Sequence, residues 1–187
     1  MERTFEPFAK IARLKREVIV TEKIDGTNSA IVITLDGDIY AQSRNKIITP
    51  KDDNAGFANW VESNKVELAR QLGPGTHFGE WWGGSIGRGY GIKEKRFSLF
   101  NTHIWHTETE DCRCIEAPLC YVVPVLAVIN KFSTEEIDQV MNNLKKTGSI
   151  AACGFADPEG IVIFHSQNQA LYKLTFEHDN GKWNMDK

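Results

Sequence analysis

The sequence has no long hydrophobic run, few cysteines, few prolines and almost no excess of charge of either sign. Each shortage excludes something. The longest apolar stretch, residues 121–129, is interrupted by Pro124 and falls short of the roughly 18 to 20 apolar residues that cross a bilayer, so no membrane partner is expected. Met1, Glu2 and Arg3 bring charge at once with no apolar segment behind them. A secretion signal is therefore not expected, and the chain reads as intracellular, cytoplasmic. The 4 cysteines, Cys112, Cys114, Cys120 and Cys153, are too few for a disulfide framework in 187 residues and read as free thiols of a reducing compartment. With 22 Lys+Arg against 25 Asp+Glu, a net charge of −3 rules out a whole-surface grip on nucleic acid, leaving only a local patch.

What is present is an ordinary globular composition, 41% hydrophobic and 25% charged, at a length that suits one domain. No repeat or linker divides it. Residues 18–24 read as a strand, and residues 30–41 as two strands joined at Asp36-Gly37, a strong hairpin signal. Residues 54–72 place Phe57, Trp60, Val61, Leu68 and Leu72 near one helical face, closed by Gly73-Pro74-Gly75. Residues 76–82, 96–105, 121–129, 160–166 and 170–177 are further strand candidates. Residues 134–147 form the clearest helix: Ser133 and Glu136 make a capping box, Ile137, Val140, Met141 and Leu144 share a face, and Lys145, Lys146 and Gly148 close it. Hairpins with few helices between them predict an α+β fold, antiparallel or mixed β-sheets flanked by a few helices.

The most informative stretch is Thr21-Glu22-Lys23-Ile24-Asp25-Gly26-Thr27-Asn28, where a lysine ends an apolar strand and a turn follows. A free lysine amine, with a pKa of about 10.4, is unprotonated at neutral pH in only about one molecule in a thousand, so a nucleophilic lysine needs partial burial or a neighbouring cation. The bland alternative is an edge lysine before an Asp-Gly turn.

The octamer resembles motif I, Lys-x-Asp-Gly, of the covalent nucleotidyltransferases, the superfamily of ATP-dependent RNA and DNA ligases and mRNA capping enzymes. Thr27-Asn28 after the glycine is similar to the RNA ligase form. Further segments follow in the family order: Gln42-Ser43-Arg44; Phe78-Gly79-Glu80-Trp81-Trp82-Gly83, resembling motif III; Arg96-Phe97-Ser98-Leu99-Phe100, resembling motif IIIa; Asp157-Pro158-Glu159-Gly160-Ile161-Val162, resembling motif IV; and Leu171-Tyr172-Lys173-Leu174, resembling motif V. The resemblance runs from about Phe8 to Phe176.

The resemblance implies the ligase nucleotidyltransferase (adenylation) domain and an ATP-dependent RNA ligase that acts through lysyl-AMP on Lys23. It implies ATP as AMP donor, held by Glu22, Ile24, Asn28, Arg44, Glu80, Phe97 and Lys173. Glu80 would contact the ribose, and Phe97, the first aromatic of its motif, would stack on the adenine. Lys173 would join Lys23 in catalysis at the α-phosphate, and Glu159 would serve Mg²⁺ or Mn²⁺. These residue types suit the chemistry, which needs a nucleophile, cations around the α-phosphate, a metal for pyrophosphate and a slot for the base. The implied partner is nucleic acid, RNA before DNA, with 5′-phosphate and 3′-hydroxyl ends. A DNA-joining enzyme and a non-catalytic binding module are the alternatives.

The sequence also departs from the family pattern. Motif V carries two lysines one residue apart, but here Leu171 and Thr175 stand at that spacing from Lys173; Asn101 stands where motif IIIa has aspartate. Eleven residues follow Phe176, so a single domain without a C-terminal OB-fold is expected, with strand binding supplied by loops or by a protein partner. Arg88, Lys93, Lys95 and Arg96 follow a glycine-rich run and are the candidate nucleic-acid contacts, with Lys10, Arg13, Lys15 and Arg16 as a second basic cluster. His103 and His106 with Cys112, Cys114 and Cys120 invite a zinc reading, but Cys-x-Cys is not the usual spacing and free thiols fit better.

Overall fold

The computed structural model describes residues 5–105 and 119–177. Among these described residues, ten strands and two helices follow in order. They are β1 (Val18–Lys23), β2 (Thr27–Ile33), β3 (Ile39–Ser43), β4 (Ile47–Ile48), α1 (Phe57–Leu72), β5 (Gly75–Gly83), β6 (Lys95–Leu99), β7 (Cys120–Val122), β8 (Val125–Ile129), α2 (Thr134–Thr147), β9 (Gly160–His165) and β10 (Ala170–Thr175). A 3₁₀ turn at Gly89–Gly91 lies between β5 and β6. The strands form a four-stranded sheet, β10-β9-β1-β8, and a six-stranded sheet, β4-β3-β2-β5-β6-β7. All pairings are antiparallel except β6 with β7, so the expected α+β class with mixed sheets is the one found.

Each sheet buries one face under one helix. Phe57, Val61 and Leu68 of α1 pack on Ile31, Trp81, Phe97 and Leu99 of the six-stranded sheet. Ile137 and Leu144 of α2 pack on Val18, Val20, Ile161 and Ile163 of the four-stranded sheet. At about 1.5–3 kcal/mol for each fully buried aliphatic or aromatic side chain, these two layers are the main stabilising term. The helix ends follow local chemistry. The Asp53 carboxylate accepts the Ala58 and Asn59 N–H groups at the start of α1. The Ser133 hydroxyl accepts the Glu136 N–H at 3.2 Å at the start of α2.

Two expected strands are cut short. Residues 121–129 form two strands in different sheets, because Pro124 has no N–H to give to a ladder; its carbonyl instead accepts the Glu22 N–H at 2.9 Å. The strand expected over 96–105 ends at Leu99, where the Asn101 side chain accepts the His103 and Ile104 N–H groups and turns the chain. His103 is exposed in that turn, while His106, Cys112 and Cys114 lie outside the described residues. Among the described residues no three His, Cys, Asp or Glu side chains converge as a metal site. Cys120 is buried and Cys153 exposed, both free. No helix among the described residues is long and apolar enough to cross a membrane.

The chain crosses from the four-stranded sheet to the six-stranded one at residues 24–26. A third cluster, Ile24, Trp82, Tyr90, Val123 and Ala152, packs around this crossing. Gly26 lies so close to β5 that a Cβ there would sit 2.5 Å from the Trp81 carbonyl oxygen and 2.9 Å from Glu80 Cγ. Only glycine brings the turn after Lys23 against the strand that carries Glu80.

Candidate active site

Alternation along β1 sends Val18, Val20 and Glu22 into the α2 side of their sheet and leaves Lys23 on the open face. At the end of the strand the Lys23 ammonium donates to Glu159 Oε2 at 2.6 Å, and both side chains are about four-fifths covered, with 23% and 20% exposed. Glu159 stands there because Gly160, which opens β9, is the register partner of Lys23.

The six-stranded sheet supplies the facing wall. Asn28 on β2 lies opposite Glu80 on β5 and donates its Nδ2 to Glu80 Oε2 at 2.9 Å. Arg44, just past β3, donates Nε to Asn28 Oδ1 at 3.0 Å and Nη2 to the same oxygen. Arg44, Asn28 and Glu80 thus form a hydrogen-bonded row that ends beside Lys23. Burial pushes the Glu80 carboxyl up to about 7, an effect that Lys23 opposes, Glu159 reinforces, the Asn28 hydrogen bond opposes and Asp25 reinforces. A buried acid of this kind sits next to charge that a cationic or phosphate-bearing ligand would rearrange.

Lys173 joins from the sheet edge. It pairs with Val162 on β9, which pairs with Thr21 on β1, so Lys173 shares the open face of Thr21 and Lys23 and is exposed there. Lys23, Asn28, Arg44, Glu80 and Glu159 are therefore brought into one cluster, with Lys173 on the same face. They come from five stretches of chain.

Other expected contacts fall elsewhere. The Glu22 side chain is 1% exposed and points away from Lys23; it accepts the Ser149 hydroxyl at 2.5 Å and the Ile150 and Ala151 N–H groups at 2.8 and 2.9 Å. Burial raises its pKa against the pull of those bonds. Ile24 is packed in the third apolar cluster. Phe97 is a correction of a different kind: it is fully buried against Phe57, Trp60 and Trp81 beneath α1, with its ring over Gly79. Its partner in the ladder is Trp81, not Glu80, which puts it on the α1 side of the sheet, away from Glu80 and Lys23. The side chains of Glu22, Ile24 and Phe97 are structural.

Two exposed aromatics on the Glu80 face are Phe78, two residues before Glu80, and Phe100, two after its ladder partner Ser98, 57% and 41% exposed, while Trp82 of the same face is buried and donates its Nε1 to Ser98 Oγ at 2.8 Å. Phe100 closes the ladder by donating its N–H to the Phe78 carbonyl at 3.0 Å. Period-two counting from Glu80 would have found Phe78, and pairing Glu80 with Ser98 would have found Phe100.

The cations after the glycine-rich run are also largely spent. Arg88 pairs with Asp157, with Glu177 at 3.1 Å and with Asp25 at 3.7 Å, its side chain 15% exposed. Lys95 donates to the Ala55 carbonyl at 2.8 Å. Arg96 pairs with Glu94 and lies between the Trp82 and Tyr121 rings, 5.8 and 5.0 Å from their centroids. Of the four candidate nucleic-acid contacts, Lys93 and Lys95 are exposed without an ion pair to any described residue, and Lys95 is held by the Ala55 carbonyl.

With this geometry in place, the comparisons with known proteins fall into line. No curated protein matches the chain. Solved structures of an RNA ligase from Naegleria gruberi do match. A lysine-to-methionine variant with AMP and Mn superposes with a TM-score of 0.58 at 19% identity, over 87% of this chain and 50% of that one. A lysine-to-alanine variant with ATP and Mn gives 0.57 at 20% identity, over 86% and 49%. The same ligase with PPi gives 0.58 at 19% identity, over 86% and 50%. The likeness is one of fold, and the chain spans about half the length of these structures. A family model described as RNA ligase matches residues 16–176. On that match the chain belongs to the RNA ligase family.

Proposed function

We propose that the protein is an ATP-dependent RNA ligase in which Lys23 becomes lysyl-AMP, residues 1–187 serving as the nucleotidyltransferase unit. The observation that carries this reading is the placement of the Lys23 amine at the sheet crossing, between Glu159 and the Glu80–Asn28–Arg44 row. A structural lysine has no need of that setting.

The step balances as follows. Lys23 Nζ, after losing a proton, attacks the α-phosphorus of ATP; the P–N bond forms, the bond to the β-phosphate oxygen breaks and pyrophosphate leaves. AMP then passes to a 5′-phosphate end, and a 3′-hydroxyl attacks that end, sealing the strand and releasing AMP. Arg44 and Lys173 supply positive charge for the phosphates, Glu80 and Asn28 offer polar contacts to the ribose, and Phe78 and Phe100 give the base an exposed aromatic surface.

The donor set also fits a divalent ion. Glu159 gives one hard carboxylate in a site without a ready-made cage among the described residues, as suits an Mg²⁺ or Mn²⁺ that shares phosphate oxygens and water. When bound, that ion would neutralise charge on the departing pyrophosphate. Strand contacts fall to Lys93, to the basic cluster at Lys10, Arg13, Lys15 and Arg16, or to a protein partner.

Incubation with ATP labelled on the α-phosphate and Mg²⁺ or Mn²⁺, followed by denaturing electrophoresis, tests the first step. Label is expected on the wild-type chain and absent from Lys23→Ala; label on Lys23→Ala, or none on wild type, overturns the reading. Sealing assays on nicked and single-stranded RNA and DNA test the rest, and activity on nicked DNA alone would reject the RNA preference.

A further inference from the structure

Arg88 does none of the work expected of a strand-binding arginine, and its surroundings suggest another task. It hangs from the loop after β5, the strand that carries Glu80. Its guanidinium enters the four-stranded sheet's end of the molecule, where it meets three carboxylates from three separate stretches. Asp25 lies two residues after Lys23. Asp157 lies two residues before Glu159. Glu177 lies two residues after Thr175, whose register partner Gly160 is also the partner of Lys23.

The loop backbone repeats the grip on the Lys23 turn. The Arg88 N–H donates to Asp25 Oδ2 at 3.0 Å, and the Asp25 N–H donates to the buried Tyr90 hydroxyl at 2.7 Å. Gly87, at φ +52, lets the loop lie on the Asp25 carboxylate, where a Cβ would come within 2.7–2.8 Å. Burial works against the Arg88 charge, but Asp157, Glu177 and Asp25 more than offset it and hold its pKa above the ordinary value. Only a planar fork with several donors can face three acceptors at once; a lysine can satisfy them only in part.

We propose that Arg88 is a positioning residue that ties the Lys23–Asp25 turn to the Asp157–Glu159 segment and so sets the relation of the amine to Glu159. It rests on the reading of Lys23 as the AMP acceptor. Arg88 touches neither Lys23 nor Glu159, so its loss leaves the nucleotide contacts in place but lets three carboxylates repel one another and the two segments drift. A displacement of about 1 Å at a reacting centre costs up to about a hundredfold in rate.

The test is the time course of label transfer from α-labelled ATP over a range of ATP concentrations, with thermal melts of each protein. Arg88→Ala is expected to lose at least about tenfold in rate at saturating ATP while the half-saturating ATP concentration stays within about twofold. Arg88→Lys is expected to recover part of that rate. An unchanged rate, or a loss confined to half-saturation, overturns the proposal, the latter by making Arg88 a nucleotide contact. Should Arg88→Ala not fold, Asp157→Asn decides: Asp157 is an exposed partner, and its variant is expected to lose rate without losing thermal stability, whereas full retention of rate overturns the proposal. Wild type that takes no label overturns the Lys23 reading and this proposal with it; wild type that labels, with every variant labelling equally fast, overturns this proposal alone.

Discussion

Residues 22–28 and residues 83–96 are both rich in candidate functional side chains, and the fold treats them in opposite ways. In the first stretch, strand alternation hides Glu22 and Ile24 and leaves Lys23 and Asn28 half-buried beside polar partners. In the second, the glycines fold the loop back on the molecule, and Arg88, Lys95 and Arg96 are spent on internal partners. The lesson concerns charge. A cation in a glycine-rich loop is not free because the loop looks flexible; once its guanidinium is largely covered, the cost of burying the charge demands anions around it.

Substitutions can break or sharpen this contrast. The largest effect on stability is expected between two aromatics of one motif. Phe97→Ala should cost about 3–5 kcal/mol in a denaturant melt, since it empties a packed site under α1. Phe100→Ala should leave the melt nearly unchanged and raise the ATP concentration needed for half-maximal labelling. If Phe97→Ala behaves like Phe100→Ala, the register placing them on opposite faces is wrong.

Next comes the pair of lysines from the two ends of the comparison. Lys173→Ala should slow labelling by about a hundred- to a thousandfold, as removal of one charge-stabilising group does elsewhere. Lys95→Ala should leave labelling and RNA binding as they are and cost at most about 1 kcal/mol, the worth of one hydrogen bond to the Ala55 carbonyl. Equal losses from both would return the loop to the active surface.

The smallest effect is in the pH dependence of stability. The Glu80 carboxyl has a folded value of about 7 against an ordinary 4.5, so the folded state holds its proton more tightly than the unfolded state. Its stabilising contribution is fully present below about 4.5 and is lost as pH rises through about 7. Wild type should therefore melt lower at pH 8 than at pH 5, and Glu80→Gln should shrink that difference by roughly 5 °C. Part of the slope should survive, because buried Glu22 shifts in the same direction. An identical slope in the variant would show that Glu80 is charged at both pH values.

Much of the fold was legible in local patterns. The helix over residues 134–147 is found at its expected ends, because Ser133 and Gly148 are local signals that need no distant partner. The hairpin at Asp36-Gly37 is found for the same reason. The break at Pro124 is local too, since a proline has no N–H for a ladder, but the assignment of residues 120–122 and 125–129 to different sheets depends on distant partners. What could not be read was which face of a strand meets which neighbour. Phe97 and Phe100 have the same chemistry, and only the pairing of Trp81 with Phe97 and of Glu80 with Ser98 decides which one is core.

By itself the sequence determined the class of the fold, its two helices and its first hairpin, and the types of side chain on offer, because these depend on periodicity, turn residues and side-chain type. The tertiary structure alone decided which groups meet. Lys23 and Glu159 are separated by 136 positions and joined at 2.6 Å, and Arg88 reaches carboxylates 63, 69 and 89 positions away. Such contacts are set by sheet register and by the cost of leaving a buried charge unpaired, and neither is a property of any short stretch of chain.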